Sequence, residues 1–311
     1  MARPRPTLRA LLIDISGTLH VGQKPTPSAV DAFRRLQASD IPYRLCSNTS
    51  KESTRDVSDR LRGLGFDVPS SDEGPRTVWT SIGAVRRVLR DMDIRRPYLL
   101  LSDSARAGLS SDPSEAEDSE SATPFDAVVV GLCPARLDYA HLNTAFRILA
   151  GEHPARSARP PVLVAAHTAR FLEAPTGGLA LGPGPFVAAL EHAAGVTAHV
   201  VGKPARAFFA AAIADIESET ETDSDPGHAR DGTGSGAIAI IGDDVEADLG
   251  GGAVELGLWR VLVRTGKYRP GDESRTPVPP DEVVDSFAAF IDEILADSLI
   301  HSPGAGQVAT H

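Results

Sequence analysis

Short apolar runs of strand-like composition alternate along this chain with amphipathic segments that have helical spacing. Strands that alternate with helices favour a parallel sheet covered by helices on both faces. The strands of such a sheet are buried on both sides and read as continuous apolar runs, as residues 238–241 do. The sequence therefore predicts an α/β fold built on a parallel sheet.

The alternation places both kinds of element along most of the chain. Strands are predicted at residues 10–15, 43–47, 98–102, 127–131, 162–166, 199–201, 237–241 and 260–264. Helices are predicted at residues 28–38, 52–64, 81–91, 138–149, 185–194, 205–216, 246–256 and 283–296. At roughly 150 residues per domain, the 311 residues form one large α/β unit or two domains.

Composition limits where such a chain can work. Apolar residues make up 41% of it, but no uncharged apolar run approaches the roughly 18–20 residues of a membrane-spanning helix. The first apolar run carries Arg9 and Asp14 and fits neither a signal peptide nor a transit sequence. Cys46 and Cys133 lack metal-ligand spacing and are predicted to be buried thiols. We therefore expect a cytoplasmic protein that binds no membrane.

The net charge of −11 is concentrated in two Ser-rich stretches, 112–120 and 217–225, each with five acidic residues and no basic one. The rest of the chain contains 32 acidic and 31 basic residues, so no basic stripe suggests a nucleic-acid partner. The polar stretches are too long for compact connections, and we predict disordered acidic insertions at 103–124 and 217–236. A flexible tail is predicted at 301–311.

Two early strand ends carry groups suited to phosphate chemistry. The first strand runs into Asp14, followed by Gly17, which permits a tight turn, and by Thr18. Ligands bind at the carboxyl ends of strands in open α/β sheets, so Asp14 is a candidate functional carboxylate, although a capping aspartate fits about equally well. The second strand ends in Ser47 and Asn48, which suit phosphate oxygens or simply cap the next helix.

Two later strand ends add charge. Lys203 lies between a glycine and a helix-starting proline, where it could neutralise an anion, although lone lysines are usually solvated. A late apolar strand leads through a glycine into Asp243, Asp244 and Asp248. These carboxylates would repel one another without a cation between them, and hard oxygen ligands favour Mg²⁺. An acid-rich helix start is the alternative, but it does not explain Asp243.

In chain order, these four pieces resemble the four motifs of the haloacid dehalogenase (HAD) superfamily of aspartyl-phosphate enzymes. Further segments are similar to the HAD subfamily of phospholysine, phosphohistidine and inorganic pyrophosphate phosphatases. The similar segments are residues 14–20, 47–53, 178–186, 201–204, 241–244 and 264–269. The resemblance implies a Rossmann-like core with helices on both faces at 1–79 and 195–300, and an inserted α/β cap of the C2 type at 80–194.

The resemblance also implies a role for each motif residue. Asp14 would be the nucleophile that takes the phosphoryl group, and Lys203 would neutralise charge on both. Mg²⁺ would be the cofactor, and its site would be formed by Asp14, the carbonyl of Ser16, Asp243 and, in support, Asp248. Phosphate oxygens would be held by Ile15, Ser47, Asn48 and Lys203. In such covalent catalysis, positioning and electrostatic stabilisation supply most of the effect.

Ser16 departs from the usual HAD pattern. Most HAD phosphatases have a second aspartate there, which protonates the leaving group, and a serine hydroxyl is too weak an acid to replace it. A phosphoryl leaving group already carries stabilised charge, and the nitrogen of a phosphoramidate can arrive protonated. We therefore expect pyrophosphate-like and P–N substrates, including phospho-amino acids, in preference to sugar or alkyl phosphates. The subfamily shares the serine, so the serine does not by itself indicate an inactive enzyme.

Alternatives to a phosphatase remain open from the sequence. Ser16 also fits a non-catalytic module that binds phosphorylated ligands or proteins, and slow attack by water would allow phosphotransfer to another acceptor. His20 is a minor candidate for a substitute acid, although it is interpreted as a solvent-facing flap residue, and His167 in the cap is a minor candidate for a residue near the active-site entrance. Because members of the family are often dimers through the cap, a homodimer of that kind is a further expectation.

Overall fold

The computed structural model describes residues 3–69, 77–109, 124–154, 159–173, 178–222 and 236–301. Its strands are β1 (Leu8–Asp14), β2 (His20–Val21), β3 (Lys24–Pro25), β4 (Tyr43–Ser47), β5 (Val78–Thr80), β6 (Pro97–Leu100), β7 (Ala127–Val130), β8 (Val162–Ala165), β9 (Phe171–Glu173), β10 (Leu179–Leu181), β11 (His199–Val200), β12 (Ala237–Gly242), β13 (Trp259–Val263) and β14 (Glu282–Val284). Its helices are α1 (Ala29–Gln37), α2 (Thr54–Gly63), α3 (Ser81–Asp91), α4 (Asp103–Ala107), α5 (Tyr139–Leu149), α6 (Gly184–Ala194), α7 (Arg206–Thr222), α8 (Gly252–Glu255) and α9 (Phe287–His301).

Within these residues, most strands belong to two parallel sheets. The larger has six strands in the order β14-β13-β12-β1-β4-β5, and the smaller has four in the order β11-β8-β7-β6. Every pairing in both sheets is parallel. Two short antiparallel ribbons, β2-β3 and β9-β10, complete the described strands. The predicted α/β class with parallel sheets is therefore confirmed.

The central strand β1 separates two halves of the main core. On one face, Leu11 and Ile13 pack with Phe33 of α1 and Phe290 of α9. On the other face, Leu12 packs in a second cluster with the helix α7. Because successive strand residues point to opposite faces, a continuous apolar run is needed to fill both. Full burial of each large apolar side chain stabilises the fold by roughly 1.5–3 kcal/mol.

The smaller sheet is also covered on both faces. Its two apolar clusters contain residues of α5 and α6 on one side and of α3 and α4 on the other. The edge strand β11 pairs with β8, so this sheet extends beyond residue 194, where the sequence placed the end of the cap. The division into core and cap domains stays a prediction.

The chain after β12 differs from the predicted helices. Residues 245–249 form turns, and the helix predicted at 246–256 is reduced to α8. Three consecutive glycines, 250–252, explain this, since Gly251 has a φ of 45° and an added Cβ on Gly252 would lie 2.4 Å from the Arg206 backbone. The helix predicted at 283–296 was placed too early, because residues 282–284 pair with β13 and α9 begins only at Phe287.

The predicted acidic insertions begin later than the sequence suggested. Residues 103–107 are helical, and Ser102 caps this turn by accepting a hydrogen bond from the Ala105 backbone N–H. Residues 217–222 continue α7, where Glu217 and Glu219 pair with arginines. Disorder was therefore wrongly predicted for 103–109 and 217–222. The remaining predicted stretches, 110–123 and 223–235, and the tail after residue 301 lie outside the described residues.

Two further features bear on the composition. Cys46 and Cys133 are buried thiols, as predicted. None of the helices among the described residues is both long enough and apolar enough to pass through a bilayer.

Arg44 joins the larger sheet to the unexpected end of α7. Its side chain is 5% exposed, with Nε 2.8 Å from Asp215 Oδ2 and Nη2 2.6 Å from Glu219 Oε2. We expect Arg44→Met to lower the free energy of unfolding by about 2 kcal/mol, because two helix carboxylates lose a buried partner. Urea denaturation measures this change. The control, Arg34→Met, removes an exposed pair with Asp31 and should change stability by less than about 0.5 kcal/mol; equal effects would contradict the prediction.

Candidate active site

Neighbouring strands of the larger sheet bring the predicted polar residues to one edge. Asp14 is the last residue of β1, Ser47 is the last residue of β4, and Asp243 directly follows β12. Because these strands are parallel and adjacent, their carboxyl ends meet at the same edge. Lys203 reaches this edge from the segment between β11 and α7. The structure thus brings together residues that are far apart in the chain.

Lys203 is the buried cation of this cluster, with 1% of its side chain exposed. Its Nζ lies 2.6 Å from Asp14 Oδ1, 2.8 Å from Asp248 Oδ1 and 3.1 Å from the Cys46 carbonyl oxygen. Three acceptors match the three N–H donors of an ammonium group, so its direction is fixed. Burial opposes the charge, but Asp14 and Asp248 raise the pKa of Lys203 well above its usual value. The group is an ammonium ion at every physiological pH.

Three buried carboxylates lie together here, and two of them, Asp14 and Asp248, contact this ammonium. Each of Asp14, Asp243 and Asp248 contributes one carboxylate oxygen to a group of three oxygens that lie within 4.8 Å of one another. Burial, followed by the charges of Asp14 and Asp248, raises the pKa of Asp243 well above its usual range. Burial and Asp14 likewise raise the pKa of Asp248 to about 6, against the opposing effect of Lys203. One ammonium does not compensate three carboxylates, and a set of hard oxygen donors around excess negative charge fits Mg²⁺.

The carboxylates are not equally available to a metal ion. Asp248 Oδ1 faces Lys203, and its Oδ2 accepts a hydrogen bond from the Asp244 backbone N–H at 3.1 Å. Asp243 Oδ2 accepts from the Lys267 backbone N–H at 2.6 Å. Asp14 Oδ2 accepts from the Thr18 hydroxyl at 3.1 Å. Both oxygens of Asp248 and both oxygens of Asp14 are therefore in contact with protein groups, with Lys203 shared between the two residues, whereas the contact described for Asp243 uses its Oδ2.

Two residues of this network were missed from the sequence as site residues. Besides its backbone contact to Asp243, Lys267 places its Nζ 2.9 Å from Asp244 Oδ2. Burial opposes the charge on Lys267, but Asp244 in particular raises its pKa above the usual value. The Thr265 hydroxyl donates to the Gly17 carbonyl at 2.5 Å. Both residues follow β13, so the strand-end rule that indicated Asp243 would have indicated this loop as well.

The predicted phosphate-binding residues differ in what their side chains do. Asn48 was expected to hold phosphate oxygens, but its amide is used by Lys203: Nδ2 donates to the Lys203 carbonyl, and Oδ1 accepts from the Lys203 N–H, both at 2.8 Å. Ser47 Oγ accepts from the Thr49 N–H at 3.2 Å. Ile15 is fully buried, so any contact with substrate falls to its backbone. Ser16 is exposed.

His20 is held inside the molecule. It is 4% exposed, so the interpretation as a solvent-facing residue was wrong. Arg60 Nη1 lies 2.6 Å from Nε2, and Nδ1 lies 2.9 Å from the Gly22 carbonyl. Since arginine only donates, Nε2 accepts and Nδ1–H donates. Burial and the charge of Arg60 lower the pKa of His20, and both ring nitrogens are engaged.

His167 connects the two sheets. It follows β8, and its Nε2 lies 3.1 Å from Oγ of Ser50, which follows β4. Nδ1 accepts from the Ala169 N–H at 3.3 Å, so the ring proton is on Nε2 and is donated to Ser50. Ser50 Oγ also accepts from the Leu132 N–H at 2.9 Å. Burial, with the charges of Lys267 and Lys203, lowers the pKa of His167 to about 4, so the imidazole is neutral at pH 7.

Comparison with known proteins identifies the family to which this site belongs. A model of haloacid dehalogenase-like hydrolases matches residues 11–111, and a HAD-hydrolase-like model matches residues 200–290. The Homo sapiens protein named haloacid dehalogenase-like hydrolase domain-containing protein 2 is 39% identical over 292 residues, which cover 93% of this chain and 96% of that protein. The chain belongs to the HAD-like hydrolase family.

Other similar proteins agree with this membership. The Homo sapiens phospholysine phosphohistidine inorganic pyrophosphate phosphatase is 32% identical over 292 residues, covering 93% of this chain and 94% of that protein. The crystal structure of a 4-nitrophenylphosphatase from Thermotoga maritima superposes with a TM-score of 0.71 at 20% identity, covering 93% of this chain and 98% of that one. The HAD resemblance found in the motifs is confirmed, and the chain is an enzyme of this hydrolase family.

The close packing of this HAD site depends on Gly17. An added Cβ at Gly17 would lie 1.9 Å from Asp243 Oδ2, whereas an added Cβ at Gly271 would have nothing within 4 Å. Both glycines have a similar positive φ, 100° and 92°, so alanine at either position has a similar unfavourable backbone conformation. We expect Gly17→Ala to lower the free energy of unfolding by about 2 kcal/mol more than Gly271→Ala. Urea denaturation of both variants checks this, and equal losses would show that Asp243 is free to move.

His167 should make stability depend on pH. Its pKa of about 4 in the fold lies below the unfolded value of about 6.5, so the unfolded state binds a proton first as pH falls. The contribution of neutral His167 to stability is therefore fully present above pH 6.5. Between pH 6.5 and 4 the free energy of unfolding falls by about 3 kcal/mol as this contribution is lost. Urea denaturation across this range should show His167→Gln losing correspondingly less stability than the wild type. Exposed His192→Gln should parallel the wild type; parallel profiles for all three proteins would sink the prediction.

Proposed function

We propose that this HAD-family enzyme is a Mg²⁺-dependent phosphatase that forms an aspartyl-phosphate on Asp14. One observation carries the proposal: the buried ammonium of Lys203 contacts Asp14 and Asp248, and Asp243 completes a group of carboxylates within 4.8 Å. Such an arrangement costs folding free energy and has no packing advantage. It is suited to holding a cation and a phosphoryl group together.

The residues that would hold Mg²⁺ are Asp14, Asp243 and the Ser16 carbonyl, with Asp248 in support. When bound, Mg²⁺ would neutralise the carboxylates and allow an anionic nucleophile to approach an anionic phosphate. The raised pKa values of Asp243 and Asp248 agree with this assignment, because they reflect negative charge that the protein itself leaves uncompensated.

The protein's own groups then account for the transfer. Asp14 is oriented by Thr18 at one oxygen and by Lys203 at the other. A carboxylate oxygen of Asp14 forms the new P–O bond while the bond from phosphorus to the leaving group breaks. Lys203, held by the Asn48 amide, stabilises the charge that spreads over the phosphoryl oxygens. Attack by water on the aspartyl-phosphate releases phosphate and restores the Asp14 carboxylate.

Protonation of the leaving group is the step for which the described site residues provide the least assistance. Ser16 stands where most HAD phosphatases have an acid, and the ring nitrogens of His20 and His167 are already hydrogen-bonded to protein groups. A substrate whose leaving group needs no proton from the enzyme is therefore favoured. Phosphoramidates and pyrophosphate meet this condition, and they match the substrates in the name of the Homo sapiens relative at 32% identity.

Phosphate release tests the proposal. We expect Mg²⁺-dependent turnover of imidodiphosphate and pyrophosphate, with kcat/KM about 100-fold or more above that for glucose 6-phosphate, the low end of what a positioned general acid contributes. Asp14→Asn should abolish turnover because it removes the nucleophile. Asp31→Asn makes the same chemical change on the exposed face of α1 and should leave turnover intact.

The remaining outcomes are equally informative. Comparable rates on glucose 6-phosphate would contradict the substrate class. The same background for wild type and Asp14→Asn, with or without Mg²⁺, would indicate a non-catalytic binding module, and phosphorylated alcohols or amines among the products would indicate a phosphotransferase. The cytoplasmic location, the homodimer through the cap and the lack of a nucleic-acid or membrane partner stay predictions.

A further inference from the structure

A groove of about 910 Å³ lies apart from the carboxylate site. It is located where β5, the last strand of the larger sheet, comes near β11, the last strand of the smaller one. Val78 of β5 and Val200 of β11 both line it, and its walls are the helices α3 and α7. None of the carboxylates described above lines this groove, nor does Lys203.

The groove exists because the helix α7 presents small side chains to it. Ala207, Ala210, Ala211 and Ala214 all line the groove, and their spacing of three and four residues puts them on one face of the helix. Gly83 and Ala84 of α3 line it as well. Side chains of this size leave the space between the two helices unfilled. Apolar groups including Trp79, Val88, Val201 and Phe208 complete the lining.

The charged side chains around this apolar lining are mostly positive. Among the residues that the structure describes, the lining includes Arg55 of α2 and Arg86 and Arg87 of α3, against one acidic residue, Asp91. Arg87 Nε lies 3.6 Å from Asp91 Oδ2 in an exposed pair, which is weak. His199 is the other titratable group in the lining. Outside the two acidic stretches the chain has nearly equal numbers of acidic and basic residues, so these arginines are a local concentration of positive charge.

We propose that this groove is a second ligand site, which takes a small molecule with an apolar body and one anionic group. The apolar body would lie along the alanine face of α7 and against Trp79, and the anion would lie at Arg87 and its neighbours. The volume of the groove is within the range of small-molecule sites, which are mostly apolar with a few polar groups that fix orientation.

The floor of the groove is also the back of the loops that hold Lys203. Val201 lines the groove and is two residues from Lys203. Thr80 lines it too, and the next residue, Ser81, donates through Oγ to the Thr49 carbonyl at 2.8 Å. A molecule bound in the groove therefore contacts the segment that carries Lys203 and the residue before Ser81, whose side chain is hydrogen-bonded to the loop that carries Asn48. Its binding should stiffen them and slow backbone amide exchange at residues 201–203.

Titration calorimetry with decanoate, below its micelle concentration, tests the site without relying on turnover. We expect one binding site per chain. Arg87→Gln should weaken binding about 5- to 10-fold through the lost charge, and Ala211→Trp, which fills the groove, should weaken it at least about 10-fold. Arg90→Gln changes an arginine of the same helix that does not line the groove, and it should bind like the wild type. Circular dichroism checks that each variant is folded.

Several results would overturn the proposal. Decyltrimethylammonium has a ten-carbon chain like decanoate but carries a positive charge. If it bound as tightly as decanoate, the arginines would not select for an anion. Unchanged decanoate binding by folded Ala211→Trp would place the molecule elsewhere. A changed sedimentation coefficient for Ala211→Trp without ligand would assign the groove to contact between two copies of the chain. Faster or unchanged exchange at residues 201–203 with saturating decanoate would refute the link to the Lys203 loop.

Discussion

The contact between Lys203 and Asp14 governs the rest of the site. An ammonium and several carboxylates removed from water are unfavourable unless hydrogen bonds replace the lost hydration, and here Lys203 has acceptors for all of its donors. Positions 14, 203 and 248 are far apart in the chain, so only the completed fold brings them together. The parallel order β12-β1-β4 does this at one sheet edge, and the Asn48 amide then fixes the Lys203 backbone from both sides.

The close grouping of these charges also requires glycines, because the backbone passes nearer to the aspartate side chains than a Cβ atom would allow. An added Cβ at Gly242 would lie 2.4 Å from Asp248, and one at Gly266 would lie 2.1 Å from Asp243 Oδ2. Gly266 has a φ of 57° as well, a conformation that costs other residues free energy. The glycines are thus part of the electrostatic arrangement. They let the loop after β13 donate the Lys267 N–H to Asp243, which holds that carboxylate against its neighbours.

The sequence predicted well those features that depend on a short stretch of residues, such as strands and the polar residues at their ends. Strands such as 237–241 are continuous apolar runs, and Asp14, Lys203 and Asp243 were recognisable because they lie at or just after the ends of strand-like segments. What failed depends on partners distant in sequence. The strand β14 is only three residues long and exists because β13 lies beside it. Glu217 and Glu219 read as solvated acids, yet Arg9 and Arg44 hold them in α7. His20 read as exposed because nothing in its own segment predicts the contact with Arg60.

The hydrogen bonds of His20 and His167 bear on which groups could protonate a leaving group. A leaving-group acid needs a proton on a nitrogen or oxygen that faces the substrate, and His20 and His167 donate theirs to Gly22 and Ser50. Both contacts support structure: the first lies at the turn between β2 and β3, and the second joins the smaller sheet to the loop that follows Ser47. Moving either proton toward a substrate would break that contact. In the proposed mechanism, strong electrostatic stabilisation of the phosphoryl group would thus be combined with weak assistance to the leaving group. Such an enzyme would discriminate between substrates by the stability of their leaving groups, and His167 would not supply the missing acid because its ring proton is donated to Ser50 in the contact that joins the two sheets.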